Sequence, residues 1–332
     1  MKRVRLIVYL VSFIVLISGV FLRTCFADEH YKYPPPGRLI KVYGHMMHLY
    51  CTGSGSPVVI LEAGLSSYSL DWSRVQPEIA KTTEVCSYDR AGYGWSEPGP
   101  KPRTAQEIVK ELQELLTVAG VKSPYILAGQ SLGGIYVQLF ALEHPTETAG
   151  VVLIDSVNRD MDKKIPKKKL DRFENDLKFY IYLGKLGAPF GIPRLLHMPS
   201  SIIIPKLPKK LQPVAYSLAY KTKSYQVIYD ELDALHKSEV EFDRQFPDIR
   251  YQDIKHPGIP VVVLSGAIPR DYPPFLVSTG LFDQWKKLQV DLAQSIPGAK
   301  QIIARKSGHF IQLDQPGLVI DTIDTMVKQV RH

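Results

Sequence analysis

The segment Gly129-Gln130-Ser131-Leu132-Gly133 reads G-x-S-x-G. It follows an apolar run, Tyr125-Ile126-Leu127-Ala128, and precedes a helical pattern carrying Gly134, Val137 and Leu139. A strand that turns sharply into a helix forces the central Ser into a strained conformation and thrusts its hydroxyl outward. Gly flanks the Ser on both sides because a Cβ at either position collides across so tight a turn. A lone Ser hydroxyl is a weak nucleophile. It needs a base within hydrogen-bond reach and an acid that orients the base. The chemistry suggested is therefore acyl transfer through a covalent intermediate on Ser131.

Of nine His residues, His309 has the right place, in Ser307-Gly308-His309-Phe310 between the last predicted strand and the last predicted helix. A loop leaving a parallel strand opens at the sheet edge where Ser131 sits. Two residues could serve as the acid. Asp155 directly follows the strand Val151–Ile154, a short rigid mount, and is the first choice. Asp271, in the looser Pro-rich loop after Val261–Gly266, is the alternative. Negative charge on a tetrahedral intermediate needs backbone donors. The Leu132 amide, at the start of the helix after Ser131, supplies one. The loop Ala63-Gly64-Leu65, after the strand Val58–Glu62, supplies the other through Leu65.

These residues need a sheet to hold them. Short β-rich runs alternate with helical patterns from Leu39 onward: Leu39–Val42, Met46–Cys51, Val58–Glu62, Glu84–Tyr88, Tyr125–Ala128, Val151–Ile154, Val261–Leu264 and Gln301–Ala304. Helices are expected at Trp72–Ala80, at Leu132–Glu143, at Leu318–Val330, and after Thr104, which forms a capping-box pair with Glu107 and is closed by Gly120. Such alternation predicts an α/β fold with a mostly parallel sheet covered on both faces.

At this point the chain resembles the α/β-hydrolase superfamily. It is most similar to membrane-anchored or exported bacterial serine hydrolases carrying a DRAGYGxS block, here Asp89-Arg90-Ala91-Gly92-Tyr93-Gly94-Trp95-Ser96. The stretches PGRLIKVYGHMMHLYCTGSG, VVILEAGLSSYSLDW and SGHFIQLDQP match the same group. The resemblance covers most of the chain from Pro34. It implies an eight-stranded sheet with one antiparallel strand, a Ser-acid-His triad on Ser131 and His309, and oxyanion donors at Leu65 and Leu132. It also implies a helical lid inserted after the sixth strand. Two positions depart from the usual pattern. Gln130 stands where many relatives have His. Glu62-Ala63-Gly64 stands where many have His-Gly, which bears on the second oxyanion donor. Ser131 excludes the Asp nucleophile of epoxide hydrolases and dehalogenases. In this fold Cys51 and Cys86 fall on neighbouring strands, either as two buried thiols or as a disulfide.

Composition is that of a globular chain: 332 residues, 45% apolar and 22% charged. The net charge of +8 is localised. Residues 158–212 hold 13 Lys or Arg against 5 Asp or Glu, hence 13 − 5 = +8, and Lys2, Arg3, Arg5 and Arg23 add +4. Everything else then sums to −4, so the core has no basic reading face for nucleic acid. The run Lys163, Lys164, Lys167, Lys168 and Lys169 is either a solvated helix face or one drawn to an anionic membrane. Three Cys lack zinc-ligand spacing, and no metal or organic cofactor is implied.

An uncharged apolar run, Leu6–Leu22, follows Lys2, Arg3 and Arg5. As a helix it spans about 25 Å against a hydrocarbon core of about 30 Å. Residues 1–27 are expected to be a transmembrane anchor, with a cleaved signal peptide as the alternative. Residues 28–38, with Pro34-Pro35-Pro36, form a linker. Residues 39–157 and 251–332 form the core and 158–250 the lid. The expected protein is an esterase-like or lipase-like enzyme in the cell membrane with its catalytic domain outside the cytoplasm, acting on small or lipid-like acyl substrates. An aminopeptidase of the same fold and a non-catalytic binding protein are the rivals.

Overall fold

The computed structural model describes residue 9 and residues 33–331, apart from 197, 199–201, 246–258 and 279. The expected membrane-spanning run at 6–22 lies outside the described residues save for Tyr9. Among those described, no helix is long and apolar enough to cross a membrane.

Eight strands form one sheet: β1 (Arg38–Val42), β2 (His45–Thr52), β3 (Val58–Glu62), β4 (Val85–Tyr88), β5 (Tyr125–Gln130), β6 (Thr148–Ile154), β7 (Val261–Gly266) and β8 (Lys300–Ala304). Their spatial order is β1-β2-β4-β3-β5-β6-β7-β8. Only β2 runs against its neighbours; every pairing from β4 onward is parallel. Helices of eight residues or more are α1 (Ala105–Ala119), α2 (Gly133–Glu143), α3 (Lys167–Gly187), α4 (Gln212–Ala219), α5 (Thr222–Gln245), α6 (Phe282–Ser295) and α7 (Pro316–Arg331).

The period-2 alternation of the strands sorts their side chains into two cores. Val58, Ile60, Leu127, Val151 and Leu153 pack on one face against Leu112 and Leu116 of α1, Val137 and Phe140 of α2 and Leu292 of α6. Val59, Leu61, Ile126, Ala128, Val152 and Ile154 pack on the other against Trp72, Ile79 and the Val319, Ile323 and Met326 stripe of α7. Central strands buried on both faces explain the nearly continuous apolar runs in the sequence. Thr104 caps α1 by accepting from the Glu107 N–H, and Gly120 ends it in a left-handed conformation.

One local expectation changes. The helix expected over Trp72–Ala80 is two short pieces, Ser69–Trp72 and Gln76–Ile79. Pro77 has no N–H to continue a helix from upstream but suits the first turn of a new one. Within the expected linker, the end nearest the core is tied to it. Tyr33 O accepts from Trp95 Nε1 at 2.9 Å, Pro36 O pairs with His48 Nε2, and Arg38 already opens β1. Of the two alternatives for Cys51 and Cys86, register partners across β2 and β4, the structure has the disulfide.

Candidate active site

β5 ends at Gln130 and α2 begins at Gly133, so the turn between them has two residues. Ser131 there takes φ +53°, a left-handed conformation that L residues rarely adopt and that costs on the order of 1 kcal/mol or more. Its N–H is held by Ile154 O at 3.0 Å, which ties the turn to the end of β6. The turn is crowded. A Cβ on Gly133 would sit 2.6 Å from Ala63 O and 2.7 Å from Glu62 O, so only Gly lets the β3 loop pass.

Asp155 leaves β6 in a second left-handed kink, φ +43°, with its N–H on Leu264 O at 2.7 Å. The kink turns its carboxylate back over the strand ends, where it is fully buried. Four donors converge on it. Gly266 N and Tyr272 Oη donate to Oδ1, both at 2.9 Å. Trp285 Nε1 donates to Oδ2 at 2.9 Å and His309 Nδ1 lies 2.7 Å from the same oxygen. Burial, and then the neighbouring Asp155 charge, push the Tyr272 phenol well above its usual range, so it stays a donor.

His309 sits in the loop after β8, buried, with Gln130 Nε2 donating to its backbone O at 3.1 Å. A carboxylate oxygen can only accept, so Nδ1 carries the proton. Nε2 is then the acceptor and lies 3.0 Å from Ser131 Oγ. The rings of Trp285, Tyr272 and Phe310, with centroids 5.0 to 5.7 Å away, wall the imidazole in.

Asp271 is not in this chain of bonds. Its carboxylate lies 3.6 Å from Arg270 Nε at the protein surface, while its backbone presses on Gly308, where an added Cβ would meet Asp271 C at 2.5 Å. The structure thus brings Ser131, His309 and Asp155 together and leaves the alternative acid behind the His loop.

Opposite Ser131 runs the loop 63–65. A Cβ on Gly64 would lie 2.4 Å from Gln130 Oε1 and 3.0 Å from Ser131 Cβ, so the loop backbone passes directly over the Ser. Leu65 follows at once, and Leu132 opens α2 on the other side.

What fixes this loop was not visible in the sequence. Arg90, fully buried, uses its whole guanidinium there. Nη1 donates to Ala63 O at 2.5 Å and Glu62 Oε1 at 2.7 Å. Nη2 donates to Gly64 O at 2.9 Å and Glu231 Oε2 at 3.1 Å. Nε donates to Glu231 Oε1 at 2.9 Å. Burial raises the Glu62 carboxyl to about 7, against the pull of Arg90. Tyr88 Oη also donates to Glu62. Glu231 comes from α5, 141 residues from Arg90.

Tyr272 and Trp285 also escaped the sequence reading. Tyr272 adjoins Asp271, the residue that drew attention to that loop. Trp285 shares a helix face with Leu288 and Leu292 and reads there as an ordinary core residue.

Residues 57–179 match the family model described as alpha/beta hydrolase fold. An AB hydrolase superfamily protein of Gibberella zeae is 26% identical over 298 residues, 83% of this chain and 87% of that protein. Several curated relatives match only over part of their length, the chain spanning from 17% to 41% of them. Among solved structures, a thermophilic esterase from Thermogutta terrifontis is similar at TM-score 0.62 and 18% identity, over 89% of this chain and 99% of that one. An enol-lactonase from Burkholderia xenovorans is similar at TM-score 0.60 and 17% identity, over 88% and 100%. With its sheet order, its single antiparallel strand and the turn after β5, the chain has the α/β-hydrolase fold.

Proposed function

We propose that the protein is a serine hydrolase of carboxylic esters, acting through Ser131, His309 and Asp155. The observation that carries this reading is the unbroken sequence of bonds from Ser131 Oγ through His309 to Asp155, at 3.0 and 2.7 Å, mounted on a strained turn. Ser131 Oγ attacks the acyl carbon and its proton passes to His309 Nε2. Asp155 holds the ring in the tautomer that makes Nε2 basic and stabilises the imidazolium that forms. The Leu65 and Leu132 N–H groups face the oxygen on which charge develops. His309 then gives its proton to the departing alcohol, leaving the acyl group on Ser131. Water enters, loses a proton to Nε2, attacks the acyl carbon, and releases the carboxylic acid as Ser131 regains its proton. No step calls for a metal or an organic cofactor.

The helices of 158–250 serve as a lid in this reading. Tyr68, Tyr93, Phe310 and Leu313 from the rim of the site share an apolar cluster with Ile181, Leu218, Val227 and Ile228 of the insertion, which suits an acyl pocket. The catalytic domain lies outside the cytoplasm, anchored by residues 6–22 or released after cleavage; the Cys51–Cys86 disulfide supports an oxidising compartment. The test is hydrolysis of nitrophenyl esters of increasing chain length against aminoacyl-arylamides. Ester turnover that disappears in Ser131→Ala is expected. Arylamide turnover without ester turnover would favour the aminopeptidase. Neither activity, in a protein that binds small ligands, would favour the non-catalytic reading.

A further inference from the structure

Of the seventeen large apolar side chains exposed among the described residues, nine lie between residues 179 and 196. They sit on three adjoining pieces: the second half of α3, the turn Ala188–Phe190, and the short helix Ile192–Leu195 with Leu196 at its end. On α3, Leu177, Ile181 and Gly184 face inward and Tyr182 leans on Tyr229 of α5, yet Phe179, Leu183 and Leu186 on the outer side are apolar too. An amphipathic helix of a soluble domain puts charge on that face, as the first half of α3 does with Lys167, Asp171, Arg172 and Asp176. Leu195 is 77% and Leu196 64% exposed. Clustered apolar exposure of this kind marks a surface that meets something apolar.

Charge says what that is. From Leu177 to Tyr229, 53 consecutive residues contain no Asp or Glu and eight Lys or Arg. Lys178 and Lys206 pair with Asp233 and Asp314 from outside the stretch, and Lys223, half-buried, donates to Ser96 O. Lys185 and Arg194 lie over the rings of Tyr229 and Tyr220, and Lys209 and Lys210 are exposed. The five-lysine run at 163–169 is a weaker candidate, because Lys163, Lys164 and Lys167 are paired with Asp160, Asp291 and Asp171. Apolar side chains to enter the acyl boundary, on a stretch that itself carries cations and no anion, match a bilayer bearing anionic headgroups.

We infer that the outer face of the insertion, residues 179–196 with Lys185, Arg194, Lys209 and Lys210, docks on the surface of an anionic phospholipid bilayer. The inner side of the same insertion packs against Tyr68, Tyr93 and Phe310 at the rim of the site. Docking therefore holds the Ser131 edge of the sheet toward the lipid. The inference stands on exposure and charge and does not depend on the reaction proposed above.

The full chain is reconstituted into vesicles of phosphatidylcholine with or without phosphatidylglycerol. In a Cys25→Ser background, Leu195→Cys carries an environment-sensitive fluorophore. Val118→Cys is the control, exposed at the far end of α1, on the edge of the sheet away from the insertion. The 195 label is expected to brighten and shift blue with phosphatidylglycerol, less so at high salt, while the 118 label stays unchanged. Leu183→Glu/Leu186→Glu should abolish the response. Lys209→Gln/Lys210→Gln should weaken it, each cation lost lowering the docking constant about fivefold. Equal circular dichroism melts keep misfolding out of the comparison. A 195 signal indifferent to lipid charge overturns the inference. So does a label already shielded in phosphatidylcholine vesicles, by a second copy or by the chain's own apolar run at 6–22.

Discussion

Asp155→Asn separates an orienting acid from a merely buried one. The carboxylate accepts from four donors, two on each oxygen. Asn replaces one acceptor with an NH2 group. Placed at Oδ2, that group meets the Trp285 and His309 N–H groups. His309 can escape only by moving its proton to Nε2, which leaves nothing to accept the Ser131 proton. Placed at Oδ1, it meets the Gly266 N–H, a fixed donor that cannot turn away. Either arrangement leaves at least one buried donor unmatched, costing about 1–3 kcal/mol of stability. The first arrangement imposes the wrong tautomer, at about 10⁴-fold in kcat, and the second still removes the negative charge that stabilises the imidazolium. Asp271→Asn alters an exposed pair with Arg270, worth at most about 1 kcal/mol, and should leave kcat unchanged. The assay is nitrophenyl ester turnover with urea midpoints for both variants. Asp155→Asn retaining wild-type kcat, or Asp271→Asn losing it, refutes the reasoning.

Gly64→Ala forces a Cβ against Gln130 and Ser131 and must lift the loop that carries Leu65. A kcat loss of about 10²-fold is expected, comparable to removing one oxyanion donor, with the melting profile largely kept; unchanged kcat would remove Leu65 from the site. Glu231→Ala strips Arg90 of a bidentate partner in a fully buried setting, so a stability loss of about 3–5 kcal/mol is expected in urea titration. A loss below about 1 kcal/mol would show that Arg90 does not need α5. Asp71 is fully buried, and desolvation raises its carboxyl to about 7 despite the Ser67 hydroxyl. A carboxyl with a raised folded pKa binds more protons folded than unfolded between about pH 4 and 7. Its contribution is therefore full at low pH and lost as pH rises through about 7. The wild-type urea midpoint should fall from pH 5 to pH 8, and Asp71→Asn, which mimics the protonated acid, should flatten that fall. Parallel profiles would exclude Asp71 as the source.

What the sequence revealed was local or periodic. The motif around Ser131 is five residues long, and its Gly spacing reflects collisions that occur within the turn and against loop 63–65. The sheet emerged from apolar runs because central strands bury both faces. Asp155 and Asp271 could be ranked only by the stiffness of their mounts. Their difference comes from the direction of each side chain, which the kink at Asp155 and the backbone of Gly308 decide. Partners far apart in sequence left no trace. Nothing in Glu231 marks it as the counter-ion of Arg90, and nothing in Trp285 marks it as a donor to Asp155. The split of Trp72–Ala80 was legible in Pro77 but masked by the apolar spacing around it.

The central claim is tested most directly by exposing the folded protein to a fluorophosphonate and mapping the adduct by peptide mass spectrometry. A single phosphonylated residue, Ser131, is the predicted result, formed slowly or not at all when His309 is changed to Ala. An intact, folded protein that takes up no label, or carries it on another residue with Ser131 unmodified, contradicts the account.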